Sequence, residues 1–523
     1  QVMLSARELN RTDLPSQSWV NRQLVYTHGF GAVASAANKA TSDGTPQYLL
    51  RNIPPTGDIE LTQPRVYFGE STGGYVLVNA KTDEFDYPLE GQKDAYNQYT
   101  GGGGVPLSSF AKRLAFAVRF NDYNLMISGQ VTPRTQMVFN RDIRSRVEQG
   151  APFLTFDADP YPIIVDGRII WMLDGYTTSQ YYPYSQPFSG EGALSGSFNY
   201  VRNPVKATVD AYSGEVVLYQ WDEKDPVLAT WSKAFPGSVK PRSEISPDLL
   251  SHIRYPEDMF RVQRDILSAY HVTTADAFYG GQDFWRVPLD PSSFGANSAN
   301  QPPYYLTMQI PGQSKPTFSL YTPFVPRGGR ENLTALAVVN ADAGDEYGKI
   351  TVLQLPRSTN VPGPSQVASN FEAKPEVATS LSLLRQGGAD VVLGNLLTLP
   401  VGKGLLYVQP VYVRATGNTA AYPLLQRVLV SFGDQIGFSE TLQGALDQVF
   451  GGDSGTDASN NQPNTPVNEG AGTSQAIRSA IASLQAAFSD LEAAQKRLDG
   501  AAEDRARARV KAAIAALISA QNR

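Results

Sequence analysis

The 523-residue chain contains no cysteine. Disulfides, thiolate metal sites, iron–sulfur clusters and a cysteine nucleophile are therefore all excluded, although the compartment is not fixed, because exported proteins of some bacteria also lack cysteine. Histidine is almost as scarce: His28, His252 and His271 lie in separate segments, with no H-E-x-x-H or H-x-H arrangement to hold zinc. No apolar run reaches the roughly 18 residues a membrane-spanning helix needs. The most apolar stretch, 389–412, is broken by Gly394, Asn395, Pro400, Gly402, Lys403 and Gly404. Charge is modest at 18% of residues with a net value of −6, so long-range attraction for nucleic acid is missing and no nucleic-acid partner is expected. The chain opens at Gln1 without an initiating methionine or a leader. The expectation is a piece of a longer protein whose membrane anchor lies upstream.

What is present is aromatic and aliphatic: 41% of residues are hydrophobic, with 26 Tyr and 23 Phe. Short alternating or apolar runs punctuated by Gly, Pro, Asn and Asp predict a β-rich α+β protein, built on a large mixed or antiparallel sheet. Strands are expected at 65–68, 75–79, 125–127, 163–165, 169–173, 206–209 and 216–221. Asp166-Gly167 should turn one hairpin and Asp210 to Glu215 another, with Gly214 free to adopt positive φ. Helices are expected at 110–118, 142–149 and 374–384, and across 248–270 with a break at Pro256. Further strands are expected at 304–309, 333–340, 349–355, 404–413 and 424–432.

The domain reading is a β-rich domain over 1–290 and a second α+β domain over 304–450, followed by a flexible linker over 451–473 and a helical hairpin over 474–523. The linker reading rests on GGDSGTDASNNQPNTPVNEGAG, whose only aliphatic side chain outside alanine is Val467. In the tail, Ile477, Ile481, Leu484, Phe488, Leu491 and Leu498 form an apolar stripe, offering a route to homo-oligomers.

Two segments suggest chemistry. Asp157 and Asp159 flank Ala158, with Asp174 and Glu70 as further carboxylates. Such a pair suits Ca²⁺, which accepts irregular oxygen-rich loops, and paired carboxylates also serve glycoside hydrolysis. A turn in which the Asp side chains bond neighbouring backbone N–H groups is the preferred reading, because no EF-hand or nonapeptide repeat is present. No cofactor is otherwise expected. The stretch YTTSQYYPYSQPF holds Tyr176, Tyr181, Tyr182 and Tyr184, which form either a ligand-binding platform or packing between sheets. Gly101 to Gly104 lacks the G-K-[ST] of a phosphate loop, and no G-x-S-x-G elbow marks a serine nucleophile.

A set of strings runs across nearly the whole chain: WVNRQLVYTHGFG (19–31), PRVYFGE (64–70), EFDYP (84–88), APFLTFDADPYPIIVDGRIIWMLDGYTTS (151–179), NYVRNPVKATVDAYSGEV (199–216), HIRYPEDMFRVQ (252–263), FWRVP (284–288) and GNLLTLPVGKGLLYVQPVYVR (394–414). Together they resemble uncharacterised protein family (UPF) 0182, large multi-pass membrane proteins of actinobacteria and some other bacteria. The resemblance implies N-terminal transmembrane helices followed by a long extracytoplasmic region, of which this chain would be most, and it implies no activity and no catalytic residue. VDAYSGEV (209–216) is also similar to the hairpin of PepSY-type modules.

The expected function is that of a cell-membrane protein's soluble ectodomain, binding an envelope protein, glycan or lipid in support of transport, assembly or homeostasis. A non-enzymatic role is favoured. The alternatives are an envelope hydrolase acting on glycan or peptide through Asp157, Asp159, Asp174 or Glu70, and a self-assembly module working through the C-terminal helices.

Overall fold

The computed structural model describes residues 1–452 apart from 90, 92–93, 191, 294–298, 357, 387–388 and 417–421, together with 508–509 and 511. The chain divides into two compact units, 1–458 and 459–523. Apart from residues 451–452, 508–509 and 511, the linker and helical-hairpin expectations lie outside the described residues. The family of folds is as the sequence predicts: β-rich α+β, with antiparallel sheets throughout the first unit.

An unexpected order runs through 155–439. Three five-stranded antiparallel sheets succeed one another, and all three share one topology. In the first, Thr155–Phe156 and Tyr161–Val165 both pair with the long strand Arg168–Ser179, which pairs with Tyr200–Asp210, which pairs with Val216–Gln220. The second repeats the scheme with Trp285–Arg286, Tyr304–Met308, Thr317–Pro326, Ala335–Asn340 and Ile350–Gln354. The third does so with Ala389–Leu393, Leu397–Val401, Gly404–Ala415, Leu424–Phe432 and Gln435–Ser439. In each, the first strand binds the C-terminal half of the long strand and the second binds its N-terminal half. A helix, or in the third case the pair Pro364–Ala373 and Pro375–Gln386, precedes each sheet and contributes to its core. Ile143 and Val147 do so in the first case, Met259, Phe260 and Val262 in the second, and Val367, Phe371, Val377 and Leu381 in the third.

Local chemistry explains the elements. Asp166 and Gly167 both take positive φ (50° and 68°), the geometry of a tight hairpin turn whose twist matches its flanking strands. At the next hairpin, Asp210 Oδ1 accepts the N–H groups of Tyr212 (2.9 Å) and Ser213 (2.7 Å), and Gly214 takes φ +70°. Helix α1 (Phe110–Phe120) begins at Ser109, whose hydroxyl accepts the Lys112 N–H, and ends where Asn121 enters the left-handed region at φ +50°.

The strand expected at 125–127 is instead helix α2 (Asn124–Ile127). Asp122 Oδ1 accepts the Asn124 N–H at 3.0 Å and starts the turn. An apolar run of three cannot reveal its own period, and here only Leu125 is buried. Short helices Pro226–Ala234 and Leu442–Phe450 also go beyond the expected set. Helix α3 (Ile143–Gly150) and the pair Pro247–Ser251 and Glu257–Tyr270, split at Pro256, fall where the periodicity puts them.

The largest core joins the N-terminal residues Ala32, Ala34 and Leu50 to Phe156, Trp171, Val205 and Val209 of the first repeated sheet. The second combines Tyr176 and Phe198 with Phe260, Leu320, Phe324 and Val339, so residues before 290 and after 304 share one hydrophobic interior.

A Cβ on Gly214 would stand 2.4 Å from the Phe68 ring, in addition to its positive φ. Gly214→Ala is expected to cost roughly 1–3 kcal/mol from backbone strain alone. A urea melt in which this variant keeps the parent midpoint would refute that account.

Candidate functional site

The acidic segment at 157–159 lies where the first repeated sheet meets the second. Asp174 and Lys206 are direct cross-strand partners in the first sheet, both buried, and their carboxylate and ammonium form an ion pair. Lys206 Nζ also donates to the Arg254 carbonyl (3.1 Å) and to the Tyr347 hydroxyl (2.8 Å), and it lies 5.4 Å from the Trp221 ring centroid. Every ammonium proton thus has a partner, as a cation taken out of water requires. Burial pulls the Lys206 ammonium below its usual range, while Asp174 opposes that shift.

Asp157 is likewise buried. Its Oδ1 accepts the Asp159 N–H (3.0 Å), and its Oδ2 accepts the Tyr176 hydroxyl and the Asp258 N–H (3.2 Å). Desolvation, then the like charges of Asp258 and Asp174, push its carboxyl up to about 7. Asp159 turns the other way and pairs with Arg254 at 2.6 Å. The Arg254 guanidinium lies over the rings of Tyr161 (3.9 Å to the centroid) and Tyr305 (4.7 Å). Asp258 accepts the N–H groups of Ala158 (3.0 Å) and Ala193 (3.1 Å). Asp157, Asp159 and Asp174 are therefore engaged by side chains and backbone of this junction. Among the described residues, no group of three or more His, Asp or Glu could hold a metal ion.

Glu70 belongs to a neighbouring acidic group at the surface. Desolvation by surrounding protein, then the charges of Glu8, Asp159 and Asp142, raise its carboxyl to about 7. Glu8 is held there by the N–H groups of Glu70 (3.0 Å) and Ser71 (2.8 Å), and Asp142 caps α3 through the Ser145 N–H.

The tyrosine stretch divides. Tyr176 is buried against Asp157, whereas Tyr181, Tyr182 and Tyr184 are exposed on one loop. Asn199 fixes that loop by accepting the Tyr182 N–H (2.9 Å) and donating to the carbonyls of Tyr182 (2.8 Å) and Ser185 (3.0 Å). Tyr182 also stacks on Tyr200, with centroids 5.8 Å apart.

The structure adds a cleft that sequence reasoning missed. It has a volume of about 610 Å³ and is lined by Asn79, Thr82, Asp83, Glu84, Asn97, Gln98, Arg134 and Gln136, among others. These residues come from the strand pair Glu84–Tyr87 and Ala95–Asn97 and from the segments leading into and out of the sheet formed by Val76–Val78, Val105–Pro106 and Gln136–Val138. Glu84 is the buried member. Its Oε2 accepts the hydroxyls of Thr27 (2.6 Å) and Tyr67 (2.7 Å), and desolvation raises its carboxyl above the usual range. Asn97 Nδ2 donates to the Tyr67 hydroxyl (3.0 Å) and Asn79 Nδ2 to the Tyr99 carbonyl (2.9 Å), so the amides are oriented before any ligand arrives. Gln98 and Arg134 are exposed. In the sequence these residues are ordinary polar positions of separate segments, touched only by EFDYP and by the end of the strand expected at 75–79. None of Asp157, Asp159, Asp174 and Glu70 is a lining residue of this cleft.

Comparison with known proteins gives one consistent answer. The model of an uncharacterised protein family, UPF0182, matches residues 1–384. UPF0182 proteins of Leifsonia xyli (45% identical over all of this chain and 59% of their own length), Clavibacter michiganensis (46%, over 90% and 51%) and Bifidobacterium adolescentis (47%, over 87% and 45%) are similar to it. The chain spans about half the length of the curated relatives it matches.

Two outcomes test the junction. Lys206→Met strands Asp174 without its countercharge and is expected to cost about 3–5 kcal/mol in denaturant unfolding, most of it recovered in the Lys206→Met/Asp174→Leu double variant. A double variant no more stable than the single would contradict the pairing. For Asp157 the folded chain holds the proton more tightly than the unfolded one, so stability is withdrawn as pH rises from about 4 to about 7. Asp157→Asn removes that loss, and melting temperatures of parent and variant should converge toward acid and separate toward neutral pH; parallel curves would rule the titration out.

Proposed function

We propose, for a chain that belongs to the uncharacterised protein family UPF0182, that it is the extracytoplasmic part of a membrane-anchored cell-envelope protein and that it binds a polar, hydroxyl-rich envelope component of the glycan class. The cleft at Glu84 carries this reading. Its walls combine planar amides (Asn79, Asn97, Gln98, Gln136), carboxyl groups (Asp83, Glu84) and one guanidinium (Arg134), a set that offers donors and acceptors side by side, as vicinal hydroxyls require. Preorientation of Asn79 and Asn97 by internal hydrogen bonds lowers the ordering cost of binding.

Binding rather than turnover is favoured by where the carboxylates are spent: Asp157 on Tyr176 and the Asp258 N–H, Asp159 on Arg254, and Asp174 on Lys206. The membrane tether is proposed to reside in the remaining length of the full protein, since the relatives are about twice as long as this chain. Among the described residues, no helix is long and apolar enough to cross a membrane.

Titration calorimetry of the chain with soluble cell-wall glycan fragments tests the reading. Saturable binding is expected, weakened about tenfold or more in the Gln98→Ala/Arg134→Ala variant, each lost hydrogen bond to a ligand contributing on the order of 1 kcal/mol. Both positions are exposed, so the fold should survive. Absence of heat with every fragment, or equal affinity of parent and variant, would remove the glycan assignment from this cleft.

A further inference from the structure

Helix α1 is apolar on two sides. Its inner side places Ala117, with Phe116 and Phe120, against a core containing Leu24, Tyr75, Leu77 and Leu125. Its outer side carries Phe110, Leu114 and Val118 at successive four-residue steps, so the three side chains follow one stripe. Phe110 is 72% exposed and Val118 74%. Helix α2 packs beside α1, and Tyr123 just before it and Ile127 at its end are 70% and 71% exposed. A helix with apolar residues around most of its circumference normally lies buried, so the outer stripe calls for a covering.

Charge says what kind. Although the chain as a whole carries −6, helix α1 contains Lys112, Arg113 and Arg119 and no acid. From 105 to 128 the single acidic residue is Asp122, whose carboxylate is occupied by Trp19 Nε1 (2.7 Å), the Tyr75 hydroxyl (2.5 Å) and the Asn124 N–H (3.0 Å). On a helical wheel the exposed arc runs from Phe110 through Leu114 and Val118 to Ala111 and Ala115, and Arg119 and Lys112 close it on the far side of the two alanines, roughly 100–120° beyond Val118. Arg113 lies on the inner side, where its Nε donates to the Leu107 carbonyl (3.2 Å). Basic residues bordering a bulky apolar stripe are the pattern of a helix lying in a bilayer interface, its aromatic and aliphatic side chains among acyl chains and its cations at anionic headgroups.

We infer that the outer face of α1 and α2, centred on Phe110, Leu114, Val118 and Ile127 and bordered by Lys112 and Arg119, docks on an anionic lipid surface. This surface is separate from the glycan cleft, and the two readings stand or fall independently.

Cosedimentation of the chain with phosphatidylglycerol/phosphatidylcholine vesicles and with pure phosphatidylcholine vesicles tests it. Binding to the anionic vesicles is expected, with little to the neutral ones and marked weakening at high salt. Lys112→Glu/Arg119→Glu should lower the affinity by more than about fivefold per position, since each basic residue near an anionic surface contributes about that factor and reversal adds repulsion. Phe110→Ser/Val118→Ser/Ile127→Ser should abolish it. Circular dichroism reports whether each variant folds, and the single change Val118→Ser, at a position that touches little of the core, serves if the triple variant does not. Equal binding to both vesicle types, or anionic binding that survives every folded variant, overturns the inference. So does light scattering that shows a dimer dissolved by the same serine changes, which would give the face to a second copy. Gln98→Ala should leave vesicle binding unchanged while weakening glycan binding.

Discussion

The ion pair between Asp174 and Lys206 is the constraint around which the junction of the first two repeated sheets is arranged. Both charges are out of water, and a buried ammonium is tolerable only with every proton engaged. One partner lies across the strand pair, one is the Arg254 carbonyl of the connecting segment, and one is the hydroxyl of Tyr347, which lies in the turn between the fourth and fifth strands of the second sheet. Three parts of the chain distant in sequence must therefore be in place before Lys206 is satisfied. Arg254 extends the same logic, with Asp159 on one side and the rings of Tyr161 and Tyr305 on its faces. The hydrophobic interior supplies the driving force for bringing the sheets together, and the charges define the relative position they accept.

Much of this fold is legible in the linear sequence because its signals are local. Asp166-Gly167 and Gly214 announce their turns through backbone chemistry, and Pro256 divides two helices as its missing N–H dictates. The segment 125–127 is too short to display a period, and it is Asp122, three residues earlier, that makes it helical. The threefold recurrence of topology is invisible for a different reason. It resides in which strands pair and at what register, while the side chains that satisfy it differ: Asp174 and Lys206 face one another in the first sheet, where Pro323 and Leu336 form a cross-strand pair in the second.

The candidate sites follow the same division. Asp157, Asp159 and Asp174 are conspicuous as a cluster in the sequence, but their partners Lys206, Arg254 and Asp258 come from 32 to 101 positions away. Tyr176 and its exposed neighbours share one aromatic run, and strand pairing alone separates the buried ring from the loop beyond it. The cleft at Glu84 offered no composition signal, because a polar wall assembled from asparagine, glutamine and threonine of several segments looks like ordinary surface until they are brought together.

The recurring sheet also shows where this architecture accommodates novelty. Its first and second strands lie end to end along the same edge of the long strand, and in the first and third sheets the peptide joining them is tied to that strand at its start by a backbone hydrogen bond, from the Asp157 N–H to the Asp174 carbonyl (2.9 Å) and from the Gly394 N–H to the Pro410 carbonyl (2.8 Å). That joint is residues 157–160 in the first sheet, 394–396 in the third, and the whole of 287–303 in the second. Beyond that bond a lineage can lengthen or rewrite it without disturbing a ladder. The acidic loop of the first sheet occupies this very joint, so the place where the scaffold is most permissive of change has, in this copy, been enlisted to hold its neighbour.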